Sequence, residues 1–277
     1  MPGRATAGRD PGTGASAVAD WKKWGEVDPL FGVASWAGKG RQDATPWTDD
    51  EFYALGRQDW LDFWGVWQRY GVRPGVCAEI GSGAGRITGA MAETFARVEA
   101  VDVSQGMIDY ARERVQSDRV AFHLNDGATL PLADATVDAV FSTHVFQHLD
   151  SRAQAGGYFA EIARVMTDGA TLMVHLPVYD WPLLPKLLDR AYEARRVLGD
   201  LRARIARPLL ERGRLRPQIR GLAFPVEFVF DTLSELGLVD IEVTIMKVAS
   251  NGGLHPFVLA RRDRQPPAET TVSDRSG

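Results

Sequence analysis

The stretch VCAEIGSGAGR at residues 76–86 decides the fold. Its first five residues form an apolar run with a single charge, which is typical of a buried parallel strand, and alternate glycines follow. Gly81, Gly83 and Gly85 allow the backbone to approach a ligand closely, and a helix that starts there presents unpaired N–H groups and a positive dipole end. The stretch therefore predicts a strand, a ligand-binding turn and a helix.

The segments around this stretch alternate between apolar runs and helical periodicity. Such alternation predicts an α/β fold in which helices cover both faces of a mostly parallel sheet. The expected strands lie near residues 76–80, 98–101, 120–123, 137–142 and 170–175. The expected helices lie near residues 86–95, 107–116, 152–166 and 226–236. Two β-rich runs at the end, 239–248 and 256–261, are expected to form an antiparallel pair.

A carboxylate follows the second expected strand. Asp102 closes the run VEAVD about twenty residues after the glycines, where it can accept hydrogen bonds from both ribose hydroxyls of a nucleoside. The glycine turn and this acid together predict an adenosine-containing ligand. Nicotinamide dinucleotide oxidoreductases share both features, but their G-x-G-x-x-G fingerprint needs a third glycine where this chain has Arg86. An arginine at that position suits a ligand carboxylate instead.

Several ordered motifs within residues 76–261 resemble the class I S-adenosylmethionine-dependent methyltransferases of the small-molecule, type 11/25-like kind. The matching motifs are EIGSGAGR (79–86), Asp102, NDG (125–127), LPLAD (130–134) with VDAVF (137–141), THVFQHL (143–149) and EIARVMTDG (161–169). The resemblance implies a Rossmann-like sheet of seven strands with an antiparallel last strand, S-adenosylmethionine as cofactor and S-adenosylhomocysteine as product. The cofactor contacts that it implies are Glu79, Gly81, Ser82, Gly83, Gly85, Arg86, Asp102, Val103, Met107, Asp126, Gly127, Thr143 and His148.

Three functions fit this pattern. The favoured one is transfer of the sulfonium methyl group to nitrogen, oxygen or carbon of a small aromatic or heteroaromatic metabolite, mainly by proximity and orientation. The alternatives are an NAD(P)-dependent oxidoreductase and a cofactor-binding protein without catalysis. The Asn-Pro-Pro-Tyr signature of many base- and amide-directed methyltransferases is missing after the fourth strand, which disfavours DNA and protein glutamine as acceptors.

The histidines offer candidate chemistry. His144 follows the fourth strand, where it could act as a general base or line the pocket passively. His144 and His148 are expected to share one helical face, and such a pair can bind a metal. Without a third ligand nearby in sequence, lining of the cofactor site is preferred and no metal is predicted. His123, His175 and His255 lie in or beside strands and are expected to be structural.

Two further features have a functional and a structural explanation. Asp126 is favoured as an adenine contact, although NDG is also good turn sequence. Residues 178–225 are expected to form an inserted helical cap whose arginines either bind an anionic substrate or RNA, or coat the solvent face of a helix. The formal net charge of -4 weakens the RNA interpretation.

Half of the eight tryptophans lie in residues 21–47, a glycine-broken stretch without helical or strand periodicity. Such sequence typically builds pocket walls, and one amphipathic helix is expected to follow it, so residues 21–74 are expected to form a lid. The residues expected to line the acceptor pocket are Trp24, Phe31, Trp36, Phe52, Tyr179 and Trp181. Aromatic walls favour an aromatic or cationic acceptor.

Composition sets the outer limits. The chain has 277 residues, of which 45% are hydrophobic, so it can fill a core, while its net acidity disfavours nucleic-acid binding. A single cysteine, Cys77, excludes a disulfide framework, and no apolar run is long enough to span a bilayer, so the cytoplasm is expected. Residues 1–20 and 264–277 are expected to be disordered. Residues 75–177 are expected to form the cofactor-binding core, and residues 226–263 are expected to complete it. The sequence predicts no oligomeric state.

Overall fold

The computed structural model describes residues 16–180, 221–248, 250 and 252–263. The strands of its main sheet are β1 (Val76–Ile80), β2 (Arg97–Asp102), β3 (Val120–Leu124), β4 (Val137–Ser142), β5 (Met166–His175), β8 (Leu238–Lys247) and β9 (Leu254–Arg262). A separate parallel pair consists of β6 (Val178–Tyr179) and β7 (Phe224–Pro225). The order of the main sheet is β3-β2-β1-β4-β5-β9-β8. The predicted α/β sheet of seven strands is confirmed.

The strand order reverses between β1 and β4. The pairs among β1 to β5 are parallel, whereas β9 runs antiparallel to both β5 and β8. Loops that leave β1 and β4 therefore diverge in opposite directions and open a crevice at the carboxyl ends of these two strands. In open α/β sheets a crevice of this kind is the usual ligand site.

The helices are α1 (Ala17–Val27), α2 (Pro29–Val33), α3 (Asp49–Tyr70), α4 (Thr88–Thr94), α5 (Gln105–Arg114), α6 (Arg152–Val165) and α7 (Val226–Glu235). All four helices expected within the core lie within a few residues of their predicted positions. The helix after the glycine turn begins at Thr88 rather than at Arg86, because the turn occupies the residues between β1 and α4.

Helix α3 fastens the amino-terminal part of the chain to the sheet. Its start is capped by Thr48, whose hydroxyl accepts from the N–H of Glu51, and it ends at Gly71, which has a φ of 97°. Trp67 is fully buried, and its indole N–H donates to the Thr171 hydroxyl of β5 at 3.0 Å. Phe63 packs against the sheet beside it. Trp67 and Phe63 of α3 are therefore core residues.

The amino-terminal arm differs from expectation because it is helical. Ser16 caps α1 and Asp28 caps α2, each through a side-chain oxygen that accepts from a backbone N–H. The prediction of disorder up to Asp20 is wrong for its last residues, which form the first turn of α1. These helices are only 11 and 5 residues long, which is too short to show clear helical periodicity in the sequence.

Several predictions concern residues that the structure does not describe. These residues are 181–220 of the expected cap, which include Trp181, and residues 1–15 and 264–277 of the expected disordered ends. At the described ends of the cap segment the chain forms the strands β6 and β7 rather than helix. Among the helices that the structure describes, none has both the length and the apolar character needed to cross a membrane.

Candidate active site

A cavity of about 290 Å³ lies at the carboxyl ends of β1, β2 and β4, where the strand order reverses. The sheet and its loops contribute Ile80, Gly81, Gly83, Val101, Asp102, Val103, Asn125, Thr143, His144 and Val145. The arm and the surrounding helices contribute Trp21, Gly32, Val33, Ala34, Ser35, Trp36, Met107, Gln147, His148 and Tyr158. The crevice that the fold creates is thus closed on one side by the arm.

The glycine turn is packed tightly by other side chains of the protein. Gly81, Gly83 and Gly85 have φ values of 75°, 53° and 77°, a region that disfavours any residue with a Cβ. A Cβ on Gly81 would lie 2.2 Å from Val145, and one on Gly83 would lie 2.6 Å from Val33 of α2. Side chains from the loop after β4 and from the arm therefore contact this turn closely, and only glycine fits between them.

The N–H groups of the turn are used within the protein. Those of Gly81 and Ser82 donate to the carbonyl oxygen of Val101, at 2.7 Å and 3.1 Å. The N–H of Gly83 donates to Asp102 at 2.8 Å. These three N–H groups are therefore already used by hydrogen bonds within the protein.

Asp102 lies at the bottom of the cavity with both carboxylate oxygens held. One accepts from the N–H of Gly83 and the other from the N–H of Ser104, each at 2.8 Å. Burial raises the pKa of this carboxyl, and the backbone N–H groups act against that rise. Each oxygen of a carboxylate has a second lone-pair site, so the group can still accept from two ligand hydroxyls. This is the geometry that recognition of a ribose diol needs.

The turn after β3 places an amide, not a carboxylate, in the cavity. Asp126 is exposed and lies outside the lining, and its side chain accepts from the N–H groups of Ala128 and Thr129 at 2.8 Å and 2.7 Å. Asp126 therefore stabilises the turn, which is the structural alternative to the predicted adenine contact. Asn125 is 3% exposed and lines the cavity next to Tyr158. Its Nδ2 has no hydrogen-bond partner among the residues that the structure describes.

Two charged residues of the first motif face away from the main cavity. Glu79 is buried and accepts from the Thr88 hydroxyl at 2.6 Å, and burial raises its pKa to about 7. Arg86 forms a 2.6 Å ion pair with Asp59 of α3, which is 1% exposed. The hydroxyl of Ser250 donates to the same carboxylate at 2.9 Å. The arginine expected to meet a ligand carboxylate is therefore already paired with a carboxylate of the protein.

Five further cofactor contacts implied by the sequence fall into two groups. Val103, Met107 and Thr143 line the cavity as expected. Gly85 lies outside the lining and packs against α5, where its added Cβ would be 3.0 Å from Ala111. Ser82 is also outside the lining, and its hydroxyl is buried without a hydrogen-bond partner in the described part of the chain.

The aromatic residues of the arm divide between cavity and core. Trp21 and Trp36 line the cavity. Trp24, Phe31 and Phe52 instead pack together with Met107 in one apolar cluster between arm and sheet. Tyr179 also lies outside the lining, and its hydroxyl accepts from Arg152 at 2.8 Å. Of the described residues that were predicted to line the acceptor pocket, Trp36 alone lines this cavity.

The histidine pair expected on one helical face does not form. His144 has a left-handed backbone with φ 58°, and only a single 3-10 turn follows it, so the two residues do not share a helical face. The ring of His148 lies 5.2 Å from that of Trp21. The ring of His144 lies 4.4 Å from that of His175 and 5.0 Å from that of His255. Histidines expected to be structural are therefore its neighbours.

Sequence reasoning did not assign Gln147 and Tyr158, which both line the cavity. The amide of Gln147 lies 3.0 Å from Nε2 of His148 and 3.4 Å from Nδ1 of His144. Gln147 lies inside the quoted THVFQHL motif, so its place was available as a signal. Tyr158 lies on α6, where its spacing resembles that of any core residue.

Comparison with known proteins agrees with this geometry. A family model described as "Methyltransferase domain" matches residues 78–174. An uncharacterised 37.1 kDa protein of transposon TN4556 in Streptomyces fradiae is 37% identical over 130 residues, which are 43% of this chain and 36% of that protein. A malonyl-[acyl-carrier protein] O-methyltransferase of Methylococcus capsulatus is 31% identical over 105 residues, 37% of each chain. The matched segments thus span little more than a third of these relatives.

A solved structure shows the same fold. Phosphoethanolamine N-methyltransferase 2 of Haemonchus contortus, in complex with phosphomonomethylethanolamine and S-adenosylhomocysteine, superposes with a TM-score of 0.53 at 17% sequence identity. The superposition covers 74% of this chain and 53% of that one.

The fold and cavity define a Rossmann-like, nucleoside-binding α/β domain. Residues 78–174 match the methyltransferase domain family, and this match supports a class I S-adenosylmethionine-dependent methyltransferase. The nicotinamide alternative is therefore set aside.

The cavity fits the cofactor of this family. Of the described residues, Ser82, Asn125 and Thr143 each hold a buried polar side-chain atom without a hydrogen-bond partner, and two of them line the cavity. Buried polar atoms are rarely left unpaired in native proteins, so the site is built for a polar ligand. Gly81 and Gly83 present bare backbone to the cavity, and Asp102 supplies acceptor oxygens that an adenosine requires.

Proposed function

We propose that the chain transfers a methyl group from S-adenosylmethionine to a small aromatic or heteroaromatic metabolite. The observation that carries this proposal is that Trp21 and Trp36 of the arm line the same cavity as Gly81 and Asp102. Indole faces stack on planar rings and attract positive charge. A cavity with a nucleoside-binding end and two indole side chains accordingly favours a flat acceptor.

Named residues would hold the cofactor. Asp102 accepts the ribose hydroxyls, and the Nδ2 of Asn125 donates to a ring nitrogen of adenine. Val103 and Met107 provide apolar surface beside them. Gly81 and Gly83 line the cavity with bare backbone, against which the amino-acid tail lies. In this assignment Asp126 shapes the turn, and Arg86 stabilises α3 against the first motif through its pair with Asp59.

The protein contributes alignment and exclusion of water. S-adenosylmethionine supplies an activated methyl group when bound, so the difficult chemistry belongs to the cofactor. Trp21 and Trp36 orient the acceptor, and α2 closes the glycine turn by placing Val33 against Gly83. Holding two reactants in line converts a bimolecular step into an effectively unimolecular one.

His144 lines the same cavity as Gly81 and Asp102. Burial lowers the pKa of His144 well below its ordinary value, and the rings of His175 and His255 lower it further. The imidazole is therefore neutral at neutral pH and a weak base on its own. We assign it contact with the acceptor rather than a rate-determining proton transfer.

The test is methyl transfer with labelled S-adenosylmethionine to three acceptor groups: phenols, nitrogen heteroaromatics and a malonyl thioester. The last is included because the Methylococcus capsulatus relative is named for malonyl-acyl carrier protein. We expect label in the aromatic acceptors, and loss of about tenfold in kcat/KM for Trp36→Ala. Trp64→Ala removes an indole that packs on Phe95, away from the cavity, and serves as the control. Label in the malonyl thioester alone would contradict the proposed acceptor class.

We infer a cytoplasmic setting and a small-molecule partner. The inference is supported by the single cysteine, Cys77, which is free and buried, and by the net charge of -4. A reducing compartment leaves such a thiol unchanged. Detection of the protein in a cytoplasmic fraction by immunoblotting tests the setting.

A further inference from the structure

Three histidines from distant parts of the chain meet beside the main cavity. His144 follows β4, His175 is the last residue of β5, and His255 lies in β9, the antiparallel partner of β5. Each offers one ring nitrogen, and these three atoms lie within 4.8 Å of one another. The ring centroids of His175 and His255 are 5.3 Å apart, so all three rings are mutual neighbours.

His175 provides a second, independent observation. Its side chain is 3% exposed, and its Nδ1 has no hydrogen-bond partner among the residues that the structure describes. Leaving a buried polar atom unpaired costs about 1–3 kcal/mol, and native proteins seldom do so. A bound cation is a partner that satisfies such a nitrogen without a donor or acceptor from the protein.

The backbone supports the same arrangement. His144 has a φ of 58°, a conformation that costs a residue with a side chain about 1–3 kcal/mol and that concentrates at functional sites. In this conformation its ring lies against the other two. Gln147 lies next to the same ring, with its amide 3.4 Å from Nδ1, where it can orient a ligand as second-shell groups do.

We propose that His144, His175 and His255 bind one divalent transition-metal ion of the zinc or iron(II) class. Three imidazole ligands are typical of such ions and leave at least one coordination position open. Nitrogen ligands stand about 2.0–2.1 Å from zinc, which places them roughly 3.3 Å apart, so small side-chain rotations close the observed span. Because His144 also lines the main cavity, the open position belongs to the acceptor side of the site.

The role of the ion rests on the proposed function. An acceptor hydroxyl that binds the ion loses its proton to solvent more readily, because the metal stabilises the resulting oxyanion. A lone pair of that oxygen then forms the O–CH₃ bond while the S–CH₃ bond breaks, and its electron pair stays on sulfur. The products are the methyl ether and S-adenosylhomocysteine, with one proton released. No oxidant or reductant is needed.

The experiment is a titration of the tag-free full chain with Co²⁺, after removal of bound metal with a chelator and dialysis. Visible absorption and calorimetry should show one saturable equivalent. We expect His175→Ala and His255→Gln each to weaken Co²⁺ binding by at least about 10–100-fold. His123→Gln is the matched control, because His123 pairs with Glu99 at 2.6 Å on β3 and should keep its affinity within about two-fold.

Two outcomes would overturn the site: no saturable Co²⁺ binding by the wild-type chain, or an equal loss in His123→Gln and His255→Gln. If His175→Ala fails to fold by circular dichroism, the half-buried His255 decides. Binding of S-adenosylhomocysteine is measured on the same samples. Its persistence without Co²⁺ binding defeats the metal site alone, and its absence with intact Co²⁺ binding defeats the methyltransferase proposal alone.

Discussion

Asp102 at the end of β2 accepts the backbone N–H of Gly83 at 2.8 Å, so the carboxylate and the glycine turn form one rigid unit. The second oxygen is fixed by Ser104. Two motifs that stand about twenty residues apart in sequence are thus joined before any ligand arrives. Such preorganisation reduces the entropy that binding must offset. The predictions below test this unit and the elements that support it.

Gly81→Ala should abolish cofactor binding. The new Cβ would lie 2.2 Å from Val145, and the φ of 75° disfavours any side chain. Gly156→Ala is the control: it lies in α6 with nothing within 4 Å of an added Cβ, and alanine there should stabilise the helix by about 0.5–1 kcal/mol. Calorimetry with S-adenosylhomocysteine and thermal unfolding check both. Normal binding by the Gly81 variant would contradict the shape assigned to the turn.

Asp59→Ala should lower the free energy of unfolding by about 3–5 kcal/mol, because it leaves the Arg86 guanidinium buried without its partner. The exposed pair Arg57–Glu93 is the comparison, and Glu93→Ala should cost less than about 1 kcal/mol. Urea unfolding measures both values. Equal losses for the two pairs would show that burial of the Asp59 pair has no energetic consequence.

Glu79→Gln should flatten the dependence of stability on pH. Burial raises the pKa of Glu79 from 4.5 to about 7, so its stabilising contribution is complete below the unfolded value and is lost as pH rises through the folded one. Glutamine stays neutral and can still accept from Thr88. Relative to the variant, wild type should lose on the order of 3 kcal/mol across this window. Urea unfolding at several pH values measures the difference, and parallel curves would refute it.

Asn125→Ala should weaken binding of S-adenosylhomocysteine by about tenfold, the loss expected for one buried hydrogen bond. Asp126→Ala should leave that affinity within about two-fold, because its carboxylate is exposed and bonds only to the turn. Calorimetry on the two variants distinguishes the amide from the acid as the adenine contact. A larger loss for Asp126→Ala would restore the assignment favoured by the sequence.

Local sequence signals were enough for the sheet and for the two central motifs. The positions of Gly81 and Asp102 were predictable because both lie at the carboxyl end of a strand that the local sequence identifies. The carboxyl ends of parallel strands lie at the same edge of the sheet, where ligands bind. Helix α3 was equally predictable, since Thr48 and Gly71 mark its ends. These features depend on contacts within one supersecondary unit.

What the sequence could not show depends on contacts between distant segments. His144, His175 and His255 meet only because β9 inserts beside β5, and no spacing in the chain encodes that meeting. The sequence predicted that Arg86 binds a ligand carboxylate. Its actual partner, Asp59, lies on α3, outside the motif, so the motif alone did not reveal the ion pair. Trp24 and Trp36 both lie in glycine-broken sequence, yet one enters the core and the other the cavity.

The most direct test of the account is calorimetric titration of S-adenosylhomocysteine into the wild-type chain and into Asp102→Asn. We expect one site in wild type, a loss of at least about tenfold in Asp102→Asn, and no binding of NAD by either. The asparagine variant keeps the side-chain shape while it removes the charge and one acceptor oxygen. Failure of the wild-type chain to bind S-adenosylhomocysteine, or preferential binding of NAD, would contradict the assignment of this site.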